Sequence, residues 1–139
     1  MAKSSKGSKN GIVIKASLTS FRILEIGQSG VRTELNDKGT ITGRHSGTQW
    51  DTVESQMNAD GTSSWQVKFI QMTNKGDMLV GTGSGTGAAP DSKGNAVLKG
   101  EGTLMTMSQR LADLNGKRWT CTVRNNMFTG KATVSVEFQ

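Results

Sequence analysis

The chain predicts an all-β fold, a single antiparallel meander barrel of about eight to ten short strands with one short helix late in the sequence. Three observations carry this. Turn-forming clusters of Gly, Asn, Asp and Ser recur along the 139 residues, and proline occurs only once, at Pro90. Between the clusters, apolar and polar residues alternate with the period of two expected of strands with one buried and one wetted face. Finally, Gly81-Thr82-Gly83-Ser84-Gly85-Thr86-Gly87 places glycine at every second position, and Gly100 and Gly102 follow on the next segment. Two matched glycine faces allow a sheet to bend sharply.

In chain order, Gly11 to Leu18 and Phe21 to Ile26 form the first strand segments, followed by a turn at Gly27-Gln28-Ser29-Gly30. Val31 to Leu35 and Thr40 to Arg44 come next, separated by a turn predicted at Asn36-Asp37-Lys38-Gly39. Trp50 to Met57 precedes the turn Asn58-Ala59-Asp60-Gly61. The clearest pattern is Ser64 to Phe69, with Trp65, Val67 and Phe69 on one face and Gln66 and Lys68 on the other. After Asn74-Lys75-Gly76 come the two glycine-rich strands, joined through Pro90 to Asn95. Ser108 to Gly116 has a serine cap, leucines three apart and a terminal glycine, the pattern of a helical turn or two that could plug one barrel end. Arg118 to Arg124 and Lys131 to Phe138 then repeat the strict alternation, around Trp119, Cys121 and Val123 and around Val134, Val136 and Phe138. No long amphipathic helix exists, which excludes an α/β fold.

The formal charge of +6 is unevenly placed. Lys3, Lys6 and Lys9 are three of seventeen basic residues, so the rest of the chain has fourteen bases against eleven acids. Residues 1–10 therefore read as a basic tail and residues 11–139 as one barrel domain. The tail is the only basis for nucleic-acid or anionic-surface binding, of a non-specific, salt-sensitive kind. No apolar stretch is long enough to cross a bilayer, and no apolar segment follows the basic start, so a cytoplasmic protein with no membrane partner is expected. Cys121 is the only cysteine and reads as a buried, inert thiol.

In length, meander and glycine-rich late hairpin, carried by Gly81 to Gly87, Gly100-Glu101-Gly102 and Thr103 to Thr106, the chain resembles small calycin-like barrels such as lipocalins, avidins and allene-oxide-cyclase-type proteins. The resemblance implies a closed barrel with an interior able to hold one small ligand. It is one of pattern, with no motif match, so no site residue carries over.

Chemistry-bearing motifs are few. Gly83 to Ala88 spells G-x-G-x-x-A, but Ala89-Pro90-Asp91 follows where a helix N-terminus should hold a pyrophosphate, so no cofactor is expected. His45 is the only histidine and no ligand spacing surrounds it, so no metal is expected; it reads first as an exposed turn residue. His45 and Glu101 are the two catalytic candidates, each able to serve as acid or base if it faces the interior. Trp65, Phe69, Trp119, Met105 and Met107 form the expected apolar lining, and Arg44 stands beside them as a residue that could orient a polar group.

These features lead to a non-catalytic barrel that binds a small apolar molecule or acts as an interaction scaffold, with homo-oligomerisation through edge strands. The alternative is a cavity-based isomerase, cyclase or lyase. Trp65→Ala tests the strand phase on which the lining rests: urea denaturation is expected to show a loss of about 3–5 kcal/mol.

Overall fold

Period-two alternation resolves into eight antiparallel strands: β1 (Gly11–Gly27), β2 (Gly30–Gly43), β3 (Gly47–Asn58), β4 (Thr62–Thr73), β5 (Met78–Ala88), β6 (Asn95–Thr106), β7 (Arg118–Asn126) and β8 (Lys131–Phe138). Each pairs with its sequence neighbours and β8 closes on β1, so the meander is a closed barrel. The structure is a computed structural model and describes residues 10–139. The basic run Lys3, Lys6 and Lys9 lies outside the described residues. No helix among the described residues is long and apolar enough to cross a membrane.

Two expected breaks are absent. Gly11 to Leu18 and Phe21 to Ile26 join into the single strand β1, with register shifts after Leu18 and Ile23. The turn expected at Asn36 to Gly39 is the middle of β2. Its residues pair with β1 on one side and β3 on the other, and Gly39 has no positive φ. Ladder hydrogen bonds on both sides outweigh the local turn preference of Asn, Asp and Gly.

The alternating glycines face inward. Gly83 pairs with Gly102 and Gly85 with Gly100 across β5 and β6, while Thr82, Ser84 and Thr86 are exposed outside. A Cβ at Gly102 would lie 2.5 Å from Cζ2 of Trp119, and one at Gly85 would lie 2.6 Å from Cε2 of Trp65. Both indoles, together with Phe69 over Gly81, therefore rest on bare backbone. Phe69 and Trp119 meet edge to face at 5.9 Å, and Trp119 Nε1 donates to the Thr103 carbonyl at 3.2 Å.

One end of the barrel is closed. The expected helix shortens to a 3₁₀ turn, Ala112–Leu114, whose Leu114 is fully buried in the core with Leu79, Leu104, Ile12 and Phe138. Ser108 does not cap it; its hydroxyl donates to Asp77 Oδ1 at 2.6 Å, and Arg110 Nε pairs with the same carboxylate at 3.1 Å. These contacts, with an ion pair between Arg44 and Asp113, fasten the loop between β6 and β7 over the end. At the opposite end β1 and β2 extend beyond β8, which pairs with β1 only as far as Ser17. The extension exposes Phe21, Ile23, Leu24 and Ile26. Its outer face carries the ion pairs Arg22–Glu34, Arg32–Glu25 and Arg32–Glu54 at 3.1–3.4 Å.

Gly85→Ala tests the seating of Trp65. The new methyl overlaps the Lys99 carbonyl as well as the indole, so urea denaturation should show a loss of about 1–3 kcal/mol, whereas the same change at Gly27, where a Cβ meets nothing within 4 Å and φ is not positive, lacks this clash.

Candidate functional site

With the aromatic rings gathered against β5 and β6, space remains on the other side of the interior. A cavity of about 520 Å³ runs along the barrel, and every strand except β5 contributes to its lining. Its wall is mostly apolar, including Ile14, Leu35, Val53, Val67, Leu98, Val123 and Val134. The lining continues to Met127 and Gly130 in the β7–β8 turn and to Lys131 at the start of β8, so the mouth lies at the end opposite Leu114. Such a volume falls in the range of about 300–1,000 Å³ typical of small-molecule pockets.

Two carboxyls face each other within this apolar wall. Asp37 on β2 and Asp51 on β3 are directly opposed in the ladder, and both line the cavity. Directly opposed residues hold their Cβ atoms about 4.5–5.5 Å apart. Burial pushes Asp37 up to about 8, helped by the charge of Asp51 and the hydrogen bond to it. Burial also raises Asp51, but hydrogen bonds from Asp37 and Gln49 pull the other way. Both members are thus raised and the pair titrates as a unit holding a shared proton, with the Gln49 N–H favouring the charge on Asp51. Neither carboxyl owes its shift to a Lys or Arg.

A line of side-chain hydrogen bonds runs from Asp51 toward the closed end. Gln49 Nε2 donates to Asp51 Oδ2 at 2.9 Å, and Gln71 Nε2 donates to Gln49 Oε1 at 2.8 Å. Gln71 Oε1 is thereby left as acceptor, so His45 Nε2 carries the proton in the 2.9 Å contact between them. Every donor in the line points toward Asp51. The residues alternate correctly for this: Gly39, Gln49 and Gln71 are register partners one step deeper than Asp37, Asp51 and Phe69.

His45 is not the exposed turn residue expected from its neighbours. It is 8% exposed, stacked on Phe138 at 6.1 Å, and its Nδ1 is buried without a partner. Burial lowers its pKa, and the hydrogen bond with Gln71 opposes that only in part. Arg44, next to it, is engaged with Asp113 over the closed end and does not line the cavity. Trp65, Phe69 and Trp119 do line it. Met105 and Met107 do not: they are 59% and 98% exposed. Alternation explains this, since inward Gly100 and Gly102 bring Leu104 and Thr106 inside and put Met105 out. The same phase leaves Glu101 on the surface, within 3.4 Å of Arg118. Cys121 lines the cavity as a neutral thiol, its pKa pushed by burial up to about 11.

Asp37 and Asp51 are the site residues that pattern reading missed. Asp37 sat in an apparent turn, yet it shares its phase with Leu35 and Ile41. Asp51 sits in the Trp50 to Met57 segment, to which pattern reading assigned no inward face. Trp50 lies outside under Lys38, 5.8 Å from its ammonium, while Val53 keeps the phase of Asp51.

No protein-family model matches this chain, and no curated sequence matches it. Its likeness is to solved structures. A protein of unknown function from Clostridium acetobutylicum superposes with a TM-score of 0.80 at 12% identity, over 92% of this chain and 95% of that one. A β-barrel-like protein from Acinetobacter baumannii gives 0.77 at 12% identity, over 91% of both chains. An enzyme from Penicillium herquei gives 0.68 at 20% identity, over 92% of both. At these identities the likeness establishes the fold alone.

The shifted groups set the pH dependence of stability. Because Asp37 binds its proton more tightly folded than unfolded, stability falls as pH rises toward about 8. His45, with a lowered folded pKa, acts in the opposite sense as pH falls through 6.5. Between about pH 6.5 and 8 the Asp37 effect therefore stands clear, and urea midpoints should decline in the native chain but much less in Asp37→Asn.

Proposed function

We propose that the barrel binds one small, largely apolar molecule in its cavity, with the polar end of that molecule against Asp37 and Asp51. The observation that carries this reading is the placement of one directly opposed carboxyl pair in a mostly apolar wall, within a space of about 520 Å³. Burying two carboxyls without a basic partner disfavours the folded state, and an apolar filling of the same volume would not. A site that binds by apolar contact and orients by a few polar groups accounts for both features.

A second reading, interaction through the surface, is favoured by the β1–β2 extension. Beyond Ser17 the β1 edge has no β8 partner, and Ile23 and Ile26 are 60% and 72% exposed. One experiment separates the two. Native mass spectrometry of protein taken directly from its expression host should show a single chain carrying a small adduct, and Val123→Phe, which narrows the cavity, should lose it. A dimer with no adduct would shift the function to the β1–β2 extension.

A further inference from the structure

We propose that Asp37 and Asp51 act together as general acid and general base on an apolar carbonyl compound held in the cavity, moving a proton between its carbon and its oxygen. This rests on the cavity being a small-molecule site. It goes further in naming a reaction and a substrate class.

The geometry supplies one group that can give a proton and one that can take it, side by side. Gln49 Nε2 donates to Asp51 Oδ2, which favours the carboxylate form there and makes Asp51 the base; Asp37, opposed to it in the ladder with burial and that neighbouring charge against ionisation, is the acid. Neither owes its state to a cation that would blunt the base or ionise the acid. A cross-strand pair at about 5 Å can reach both ends of one H–C–C=O unit. Pairs of titratable groups whose surroundings drive them to opposite protonation states are acid–base couples.

The step balances within the pair. Asp51 takes the proton from the carbon next to the carbonyl, and the electrons of that C–H bond become a C=C bond. The carbonyl π electrons move to oxygen, which receives the proton of Asp37 as its O–H turns from Asp51 to the substrate. The products are the enol, a protonated Asp51 and an ionised Asp37, so the charge of the pair is unchanged. Reversal at the same carbon after the proton on Asp51 has exchanged with water replaces its hydrogen; reversal at a conjugated carbon shifts a double bond. No oxidant, metal or second substrate enters the balance.

Gln49, Gln71 and His45 are positioning residues in this scheme. Gln49 holds Asp51 Oδ2 by its N–H, Gln71 fixes the amide of Gln49, and His45, locked on Phe138, fixes Gln71. Removing the Gln49 N–H should raise the pKa of Asp51 and so move the rising side of a pH profile, which loss of packing alone would not do.

The test uses the full chain and 1-tetralone as probe. Binding is followed by quenching of the tryptophans, and deuterium uptake at carbon 2 is followed by NMR in D2O. Uptake is expected to be about 100-fold faster with the native chain than with Asp51→Asn, the share a positioned general base supplies. Its rate should fall above about pH 8, where Asp37 loses its proton. Asp37→Asn should abolish that fall together with most of the rate, and Gln49→Leu should shift the rising side to higher pH. Circular dichroism and urea midpoints establish that each variant is folded. A native chain that binds 1-tetralone but exchanges it no faster than Asp51→Asn overturns the acid–base assignment and leaves the cavity standing. Absence of both binding and exchange removes the cavity reading and the proposal with it.

Discussion

The close approach of Trp65 and Trp119 to the bare backbone of β5 and β6 governs the rest of the interior. Two indoles need width that eight strands scarcely enclose, and the inward glycines of those strands yield it. Because the rings sit against one wall, space is left along the others, and β5 alone contributes nothing to the cavity. The same glycines set the phase of β6, which brings Leu104 into the core and sends Glu101 and Met105 outward. Core, cavity and surface on this side all follow from one steric constraint.

Against that largely apolar background His45, Gln71, Gln49 and Asp51 form one connected line. It begins at His45, in the loop that joins β2 to β3 at the closed end, and ends at the carboxyl pair. The residue beside it, Arg44, ties the covering loop through Asp113, so the closure of the barrel and the orientation of the site share a short stretch of chain. The line is largely satisfied internally, as buried polar groups must be. It also has a direction, because all its donors face Asp51. A carboxylate stabilised from one side can leave its neighbour protonated, and that asymmetry distinguishes this pair from two equivalent acids.

The two faces of the β1–β2 extension repeat the barrel's own logic where no opposite wall exists. Its outer side carries exposed ion pairs, each worth little alone, and its inner side continues the apolar row of Ile12, Ile14 and Ala16 through Phe21 and Ile23. Leu18, Phe21 and Leu35 belong both to this extension and to the cavity wall. The mouth is thus bordered on one side by exposed apolar surface and on the other by Met127 of the β7–β8 turn and Lys131 at the start of β8.

Alternation and turn chemistry by themselves determined the antiparallel meander, the inward Trp65, Phe69 and Trp119, and the buried Cys121. These depend on period two and on local backbone preference, which any segment expresses without its neighbours. Alternation along β6 also contained the outward position of Met105, once Gly100 and Gly102 are taken as inward. Other features were decided only by the tertiary structure. Asn36 to Gly39 has the composition of a turn and becomes mid-strand because β1 and β3 supply its hydrogen bonds. Asp37 and Asp51 are fourteen positions apart in sequence and meet only through the β2–β3 register. His45 is buried because Phe138, from the far end of the chain, closes over it. Pairing partners, unlike pairing propensity, are set by closure of the whole sheet, and the site in this barrel consists of partners.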